Sequence, residues 1–168
     1  MRSIKQVTEQ RDIQAVAELA NEIWNEYFVD IIGQAQVDYM LEKFQSERAI
    51  CEQVRNGFLY YLIKSNNSDV GYFGVLPTND SLLLSKFYIR SAERGKGLGR
   101  KVLTFIESLA AEKGASRITL TVNKYNSDTI EAYKKLGFQI TESLIQDIGN
   151  GFVMDDYRME KVIGKFQT

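Results

Sequence analysis

A short glycine-rich stretch carries the clearest chemistry in the chain, Arg94 to Arg100, with the sequence RGKGLGR. It follows an apolar segment, residues 82–89, that is typical of a strand, and it precedes apolar residues spaced three and four apart, as in a helix with one buried face. The first amides of a helix have no intrahelical acceptors, and the helix dipole adds partial positive charge there. Glycines let a bound group approach the backbone. We therefore predict an anion site for a phosphate or pyrophosphate.

Residue spacing and composition exclude several other chemistries. A P-loop needs Gly, four residues and then Gly-Lys-Ser/Thr, which is absent, and the dinucleotide fingerprint needs Gly-x-Gly-x-x-Gly, whereas Gly95, Gly97 and Gly99 are two apart. The chain has no histidine and one cysteine, which excludes the kinase His-Arg-Asp loop, a Ser-His-Asp or Cys-His pair, and histidine or multi-thiolate zinc sites. Any chemistry must use carboxylates, tyrosine, lysine, backbone groups or water, and we expect no metal.

Two sequence blocks resemble one known family. Arg94, Gly97 and Gly99 match the pattern Arg/Gln-x-x-Gly-x-Gly/Ala, and residues 122–138 carry an Asn, an Ala-Tyr pair and a Gly-Phe pair in order. Together they resemble the acyl-CoA loop and the second block of the GNAT superfamily of N-acetyltransferases. The ending at residues 149–161 is similar to the bacterial spermidine/spermine acetyltransferase (PaiA-like) branch.

The resemblance implies acetyl-CoA (coenzyme A) as co-substrate and acetyl transfer to a primary amine by direct attack in a ternary complex. It assigns the donor contacts to Phe87, Tyr88, Ile89, Arg94, Gly95, Lys96, Gly97, Leu98, Gly99, Arg100, Asn123, Asn126 and Tyr133. Backbone N–H groups of residues 87–89 are the expected donors to the thioester carbonyl.

Tyr133 matches the family's catalytic tyrosine, which stabilises the departing thiolate. A phenol has a pKa of about 10 and a thiol of about 8.5, so full proton donation is uphill by roughly 2 kcal/mol. We expect Tyr133 to act chiefly through a strong hydrogen bond. The alternative is a tyrosine packed beneath its helix.

On the acceptor side, the resemblance makes the first interhelical loop part of the pocket, with Trp24, Tyr27, Phe28 and Asp30 as candidate lining residues. Aromatic core packing is the alternative for Trp24 and Phe28. Many family members place a carboxylate base on the strand before the glycine loop, but residues 82–86 read LLLSK. The general base is therefore left open between Glu22, Glu26, Asp30 and a water chain.

Cys51 has no histidine to activate it, so an acyl-cysteine route is disfavoured.

The acceptor itself is left open. The acidic residues Glu142, Asp147, Asp155 and Asp156 can attract a polycation, and a solvated hairpin face is the alternative. We expect a small amine or polyamine, with protein or peptide N-acetylation and a non-catalytic acyl-CoA-binding sensor as alternatives. Homodimer formation through the last strands also stays open.

Composition limits the protein class. A chain of 168 residues with 44% apolar residues predicts one domain, residues 1–168, and a net charge of −1 argues against a nucleic-acid partner. No apolar run approaches the ~20 residues that span a bilayer, and the first residues lack a signal-peptide core. We expect a cytoplasmic protein with no membrane partner.

The periodicities predict an α/β (α+β) protein, and the resemblance specifies the GNAT fold: a mixed, mostly antiparallel central sheet of six to seven strands flanked by about four helices. The expected strands are Ile4–Val7, Phe58–Lys64, Val70–Leu76, Leu82–Ile89, Arg117–Val122, Phe138–Ile148 and Phe152–Val162. The first expected helix starts after a turn at Thr8–Asp12 and follows helical spacing from Ile13 to Trp24. The other expected helices cover Gln36–Phe44, Glu47–Arg55 and residues 100–113, and a short one carries Tyr133 and is capped by Asn126 or Ser127. Residues 27–33 break the helical period and are predicted to form a loop.

Overall fold

The computed structural model describes residues 2–164. Its strands are β1 (Arg2–Gln6), β2 (Leu59–Ser65), β3 (Ser68–Pro77), β4 (Ser81–Ile89), β5 (Arg117–Asn123), β6 (Gln139–Gly149) and β7 (Phe152–Val162). Its helices are α1 (Gln10–Tyr27), α2 (Val29–Ile32), α3 (Gln34–Phe44), α4 (Glu47–Arg55), α5 (Leu98–Glu112) and α6 (Ser127–Lys135).

The strands form one seven-stranded sheet in the order β1-β2-β3-β4-β5-β7-β6. β4 pairs with β5 in parallel through Ser81, Leu82 and Leu83. The β1–β2, β2–β3, β5–β7 and β6–β7 registers are antiparallel. The predicted α/β class and mostly antiparallel sheet are therefore confirmed.

The chain divides into two compact units, and the first contains the residues up to Leu76 together with Ser85–Val102. Its helix α1 buries residues at helical spacing, among them Val16, Ala20 and Ile23. The buried carboxylate of Asp12 fixes the start of α1, because it accepts hydrogen bonds from the Thr8 and Glu9 amides, each at 3.1 Å.

A buried polar network ties α3 and α4 of this unit to its strands. The hydroxyl of Tyr72 donates to Gln45 Oε1 at 2.5 Å, and Gln45 Nε2 donates to the Tyr60 hydroxyl at 3.1 Å. Tyr60 in turn donates to Gln53 Oε1 at 2.5 Å. Burial raises the pKa of Tyr60 to about 12, so this phenol stays protonated and keeps its place as a donor.

The second unit contains Pro77–Leu84 and the chain from Leu103 onwards. Ile106 of α5, Leu120 of β5 and Met159 of β7 are among its fully buried side chains. At the end of α6, Lys161 Nζ lies 2.6 Å from Glu107 Oε2 and donates to the Leu136 carbonyl at 2.7 Å. Gly137 leaves room for that lysine, because a Cβ there would lie 3.0 Å from its side chain.

Two features of the predicted fold are wrong. Residues 27–33 are not a loop: α1 continues to Tyr27, and the single turn α2 follows Phe28 and ends at Gly33 with a φ of +84°. The described residues contain six α-helices rather than about four. Tyr27 and Phe28 make aromatic contacts in this helical conformation. The periodicity of residues 27–33 does not show such contacts, so it could not predict the helical turn.

Several local predictions are confirmed. The bounds of α4 and β7 are those expected from the sequence, and the β2–β3 and β6–β7 turns have left-handed Asn66, Asn67 and Asn150. Asn126 occupies the cap position of α6, although its side chain makes no capping bond. Of the helices within residues 2–164, none combines the length and apolar character that crossing a membrane requires.

Candidate active site

The glycine-rich stretch lies where the sequence predicts, between β4 and α5. After Ile89, a short 3₁₀ turn at Ser91–Glu93 leads to the glycines, and α5 begins at Leu98. The Leu98 side chain is only 3% exposed and anchors this first turn. The Lys101 N–H donates to the Gly97 carbonyl at 3.3 Å. The amides of Gly97, Leu98 and Gly99 precede the Lys101 amide, which is the donor of this bond, and they are placed to bind an anion.

The glycines of this turn allow an unusual backbone conformation and leave open space beside it. Gly95 and Gly97 have φ values of +77° and +75°, which favour glycine. A Cβ placed at Gly95, Gly97 or Gly99 would meet no other atom within 4 Å. Packing within the protein therefore does not demand small residues here, and the open space beside the glycines can admit a ligand.

Arg94 is held beside this turn by two contacts. Its Nε donates to the Ile89 carbonyl at 3.0 Å, and its guanidinium carbon lies 4.8 Å from the centre of the Tyr27 ring. The Arg94 side chain is exposed, so its charge remains available to an anion. Tyr27, an acceptor-side candidate, thus contacts a donor-side candidate.

An aromatic cluster, which we define as Trp24, Tyr27, Phe28, Tyr72 and Tyr88, continues from this contact. The Phe28 ring centre lies 5.2 Å from that of Tyr27, 5.1 Å from that of Trp24 and 5.8 Å from that of Tyr88. Tyr88 also packs against Tyr72 at 5.6 Å. The structure therefore joins three acceptor-side candidates to the donor-side candidate Tyr88.

Members of this set differ in burial. Trp24 is 3% exposed and packs as a core residue, whereas Tyr27 and Phe28 are half-buried. Asp30 lies exposed on α2. Of the four acceptor-side candidates, Tyr27, Phe28 and Asp30 can therefore offer substantial surface to an acceptor, and Trp24 cannot.

The end of β4 directs two amides away from β3. The Arg90 N–H donates to the Val70 carbonyl of β3 at 2.8 Å, and a Cβ at Gly71 would lie 2.5 Å from the Tyr88 carbonyl oxygen. Since backbone groups of successive residues alternate between the two edges of a strand, the N–H groups of Phe87 and Ile89 point to the opposite edge. These are the amides expected to polarise a thioester carbonyl.

Lys86 is a residue of this strand to which our sequence analysis gave no role. It is half-buried, and burial lowers the pKa of its amine to about 8. The sequence feature that could have indicated Lys86 is a single lysine within the mostly apolar segment 82–89.

The remaining donor-side candidates belong to the second unit. Asn123 Oδ1 accepts a hydrogen bond from the Tyr125 amide at 2.9 Å, and the Asn126 amide donates to the Asn123 carbonyl at 3.0 Å. Tyr133 on α6 packs edge-on against Phe138 with ring centres 5.3 Å apart.

The Tyr133 hydroxyl is suited to donate to a ligand. Its side chain is half-buried, and within residues 2–164 the hydroxyl makes no hydrogen bond to the protein. Burial raises the pKa of this phenol well above its ordinary value, so it stays protonated at neutral pH.

Most of the acidic residues expected to attract a polycation have local partners. Asp155 lies 2.8 Å from Lys124 Nζ, Glu142 lies 3.6 Å from Arg158, and Asp147 accepts the Gly149 amide in the β6–β7 turn. Asp156 is 5% exposed, and burial, with a smaller contribution from Asp155, raises the pKa of its carboxyl to about 6. Clusters of metal-ligating side chains are absent from the described part of the chain.

Asp156 gives a testable pH dependence of stability. Its folded pKa exceeds the unfolded value of about 3.9, so the native state binds more protons between about pH 4 and 6 and loses stability as pH rises through that window. We expect Asp156→Asn to be more stable than the parent protein by about 2 kcal/mol at pH 7, with the difference vanishing near pH 4. Urea unfolding at pH 4, 5 and 7 measures this difference. Equal stabilities at pH 7 would show that Asp156 ionises normally.

Residues 16–138 match the family model described as Acetyltransferase (GNAT) family. Because the match covers most of the chain, the protein belongs to this acetyltransferase family, which confirms the resemblance seen in the sequence.

Individual curated relatives match only part of the chain, at low sequence identity. The chain is 28% identical over 89 residues to thialysine N-epsilon-acetyltransferase of Sus scrofa, covering 52% of this chain and 51% of the relative. It is 33% identical over 100 residues to spermine/spermidine N(1)-acetyltransferase of Bacillus subtilis, covering 55% and 59%. The chain thus spans about half the length of these curated relatives.

A solved structure shares the fold over nearly the whole chain. The PaiA N-acetyltransferase from Thermoplasma acidophilum, in complex with coenzyme A, superposes with a TM-score of 0.78 at 20% identity. The match covers 95% of this chain and 99% of that one. At this identity the likeness shows the fold.

Proposed function

We propose that the protein is an acetyl-CoA-dependent N-acetyltransferase that acetylates a primary amine, either a small amine or a polyamine. The observation that carries this proposal is the cationic, glycine-rich turn that opens α5. Its glycines border open space, where a pyrophosphate can accept hydrogen bonds from the first amides of α5 and gain from the helix dipole. Family membership and the coenzyme A bound to the PaiA neighbour support the same ligand.

Each further donor contact has a defined part in this proposal. Arg94, fixed by Ile89 and Tyr27, adds positive charge beside the diphosphate. The amides of Phe87 and Ile89 polarise the thioester carbonyl. Asn123 and Asn126 contact coenzyme A, as the family resemblance implies.

The reaction is a direct acyl transfer. The neutral acceptor amine attacks the thioester carbonyl, a C–N bond forms, and the C–S bond breaks to release the coenzyme A thiolate. The Tyr133 hydroxyl donates a hydrogen bond to the departing sulfur, because its raised pKa keeps the proton on the phenol. The acceptor's surplus proton must pass to a base or to water.

The acceptor side combines aromatic and acidic groups. The half-buried faces of Tyr27 and Phe28 suit an aliphatic or cationic amine, and Asp30 adds negative charge nearby in sequence. The Bacillus relative is a spermine/spermidine acetyltransferase, which favours a polyamine. The local pairing of Glu142 and Asp155 weakens the acidic attraction, so other small amines remain in the proposed class. Homodimer formation remains a prediction from the sequence.

An acceptor screen tests the proposal. Purified protein is incubated with acetyl-CoA and a panel of polyamines, amino acids, other small amines and amine-terminated peptides, and free thiol is measured. We expect release with at least one small amine or polyamine. Release with peptides alone would indicate a protein acetyltransferase. Binding of coenzyme A in calorimetry without turnover on any amine would indicate a sensor, and absence of both would overturn the donor-site assignment.

A further inference from the structure

The strand before the glycine loop, β4, carries the amine of Lys86 and no carboxylate. We propose that Lys86 is the group that accepts the proton from the acceptor ammonium. This inference rests on the proposed function, since it assigns the base of that same reaction. It is supported by the position of the Lys86 amine on β4, by its half-buried surroundings and by its hydrogen bond to Ser85.

One hydrogen bond locates the amine. Lys86 Nζ donates to Ser85 Oγ at 2.9 Å. Neighbouring side chains of a strand point to opposite faces, so a bond between them must pass around an edge of the strand. β3 occupies one edge of β4, whereas β5 pairs with the other edge at Ser81, Leu82 and Leu83, before Lys86. The Lys86 amine therefore lies at the edge away from β3.

The same edge carries the amides proposed to hold the thioester carbonyl. The N–H groups of Phe87 and Ile89 point away from β3, as the Arg90–Val70 hydrogen bond fixes by alternation. A base at this edge is one and three residues from the backbone groups of Phe87 and Ile89 that contact the reacting carbonyl. An attacking amine is then within reach of both.

The surroundings of Lys86 favour its neutral form. Lys86 is half-buried, and within residues 2–164 its amine forms no ion pair with a carboxylate. The phenol of Tyr88 lies two residues further along β4, on the strand face that Lys86 shares, and it packs against Tyr72 of β3 with ring centres 5.6 Å apart. The carboxylate of Glu22 on α1 is paired with Arg90, with Oε2 2.9 Å from Nε. Burial alone accounts for the lowered pKa of Lys86, about 8.

A neutral lysine at this edge can complete the proton balance. Its Nζ lone pair accepts one proton from the acceptor ammonium, whose nitrogen then attacks the thioester. The second proton, which this nitrogen loses as the amide forms, passes to the departing thiolate or to water. The resulting Lys86 ammonium returns the proton to solvent after acetyl transfer. At pH 7 about one molecule in ten carries the neutral amine for a pKa of about 8, and this fraction rises to a plateau above pH 8.

The test is the pH profile of kcat/KM in Lys86→Met and Lys86→Arg, with the acceptor identified by the screen. For the parent protein we expect kcat/KM to rise to a plateau above about pH 8. For Lys86→Met we expect about a hundredfold loss at pH 7 and a continuous rise toward the acceptor's own pKa, without the inflection near 8. Lys86→Arg, which stays charged, should lose activity similarly.

Controls separate this role from a structural one. Lys64→Met on β2, whose ammonium lies 2.6 Å from Asp69, should keep the parent profile. Met suits the enclosed position of Lys86, so thermal unfolding and coenzyme A affinity should change little. With ¹³C at lysine Cε, the resonance lost in Lys86→Met should titrate near pH 8 in the parent protein.

The outcomes distinguish the two proposals. An unchanged pH profile in Lys86→Met, recovery of activity in Lys86→Arg, or accumulation of acetylated Lys86 with loss of turnover would each overturn the base assignment while leaving acetyl transfer intact. Absence of thiol release by the parent protein, by contrast, counts against the proposed function, and the Lys86 titration is measurable without turnover.

Discussion

Replacing Tyr133 by Phe should lower kcat by about 10²–10³-fold while acetyl-CoA binds with nearly unchanged affinity. The substitution removes one hydroxyl and keeps the ring that packs 5.3 Å from Phe138, so α6 should retain its structure. A donor aimed at charge that develops in the transition state typically contributes this much to the rate. Steady-state kinetics measures kcat, and calorimetry with coenzyme A measures binding.

Tyr125→Phe is a matched control for this variant. Tyr125 is an exposed tyrosine of the same unit, and its hydroxyl lies 3.5 Å from Asp155 Oδ2. We expect its kcat to stay close to that of the parent protein. If Tyr133→Phe also keeps the parental kcat, the tyrosine is a packing residue and the thiolate must be stabilised elsewhere.

The pKa of Tyr133 refines this expectation. Because burial raises it above the ordinary value, proton transfer to a thiolate of pKa about 8.5 is more unfavourable than for a free phenol. The hydroxyl should therefore act as a hydrogen-bond donor throughout the neutral range. The parent kcat should show no decline from ionisation of this phenol below about pH 10.

Replacing Gly97 by Val should weaken coenzyme A binding by about hundredfold or more. Gly97 has a φ of +75°, where a β-branched residue is strongly disfavoured, and its amide is among those proposed to bind the diphosphate. A shift of the turn misdirects several amides at once, and a loss of about 3 kcal/mol corresponds to this change in affinity. Calorimetry with coenzyme A gives the dissociation constant directly.

Gly114→Val controls for the backbone strain itself. Gly114 follows α5 with a φ of +77°, and a Cβ there would also meet no other atom within 4 Å. Both variants should lose a similar stability, about 1–3 kcal/mol. Only Gly97→Val should lose affinity. Parental affinity in Gly97→Val would mean that these amides do not hold the diphosphate, and the donor-site assignment would have to be abandoned.

The donor-side and acceptor-side candidates contact each other in the structure, although they are distant in the sequence. Arg94 was assigned to the donor and Tyr27 to the acceptor, yet their side chains are in direct contact. A change at Tyr27 therefore alters the support of Arg94 as well as the acceptor surface. Interpretation of Tyr27 variants needs both acetyl-CoA and acceptor kinetics.

The amino-acid sequence by itself determined the features that depend on neighbouring residues. The strand, glycine turn and helix at residues 82–112 follow from apolar spacing and from backbone conformations that glycine favours, all within one continuous segment. The β6–β7 turn at Gly149-Asn150-Gly151 and the bounds of α4 follow in the same way. Those signals are local, so they are readable without the fold.

Only the tertiary structure decided what depends on distant residues. Residues 27–33 read as a loop because their own pattern is irregular, whereas the structure gives them helical turns packed through the aromatic cluster. The lowered pKa of Lys86 likewise arises from burial by surrounding elements rather than from its neighbours in sequence. Burial and electrostatics sum over atoms from many parts of the chain, and for that reason they emerge only once the chain has folded.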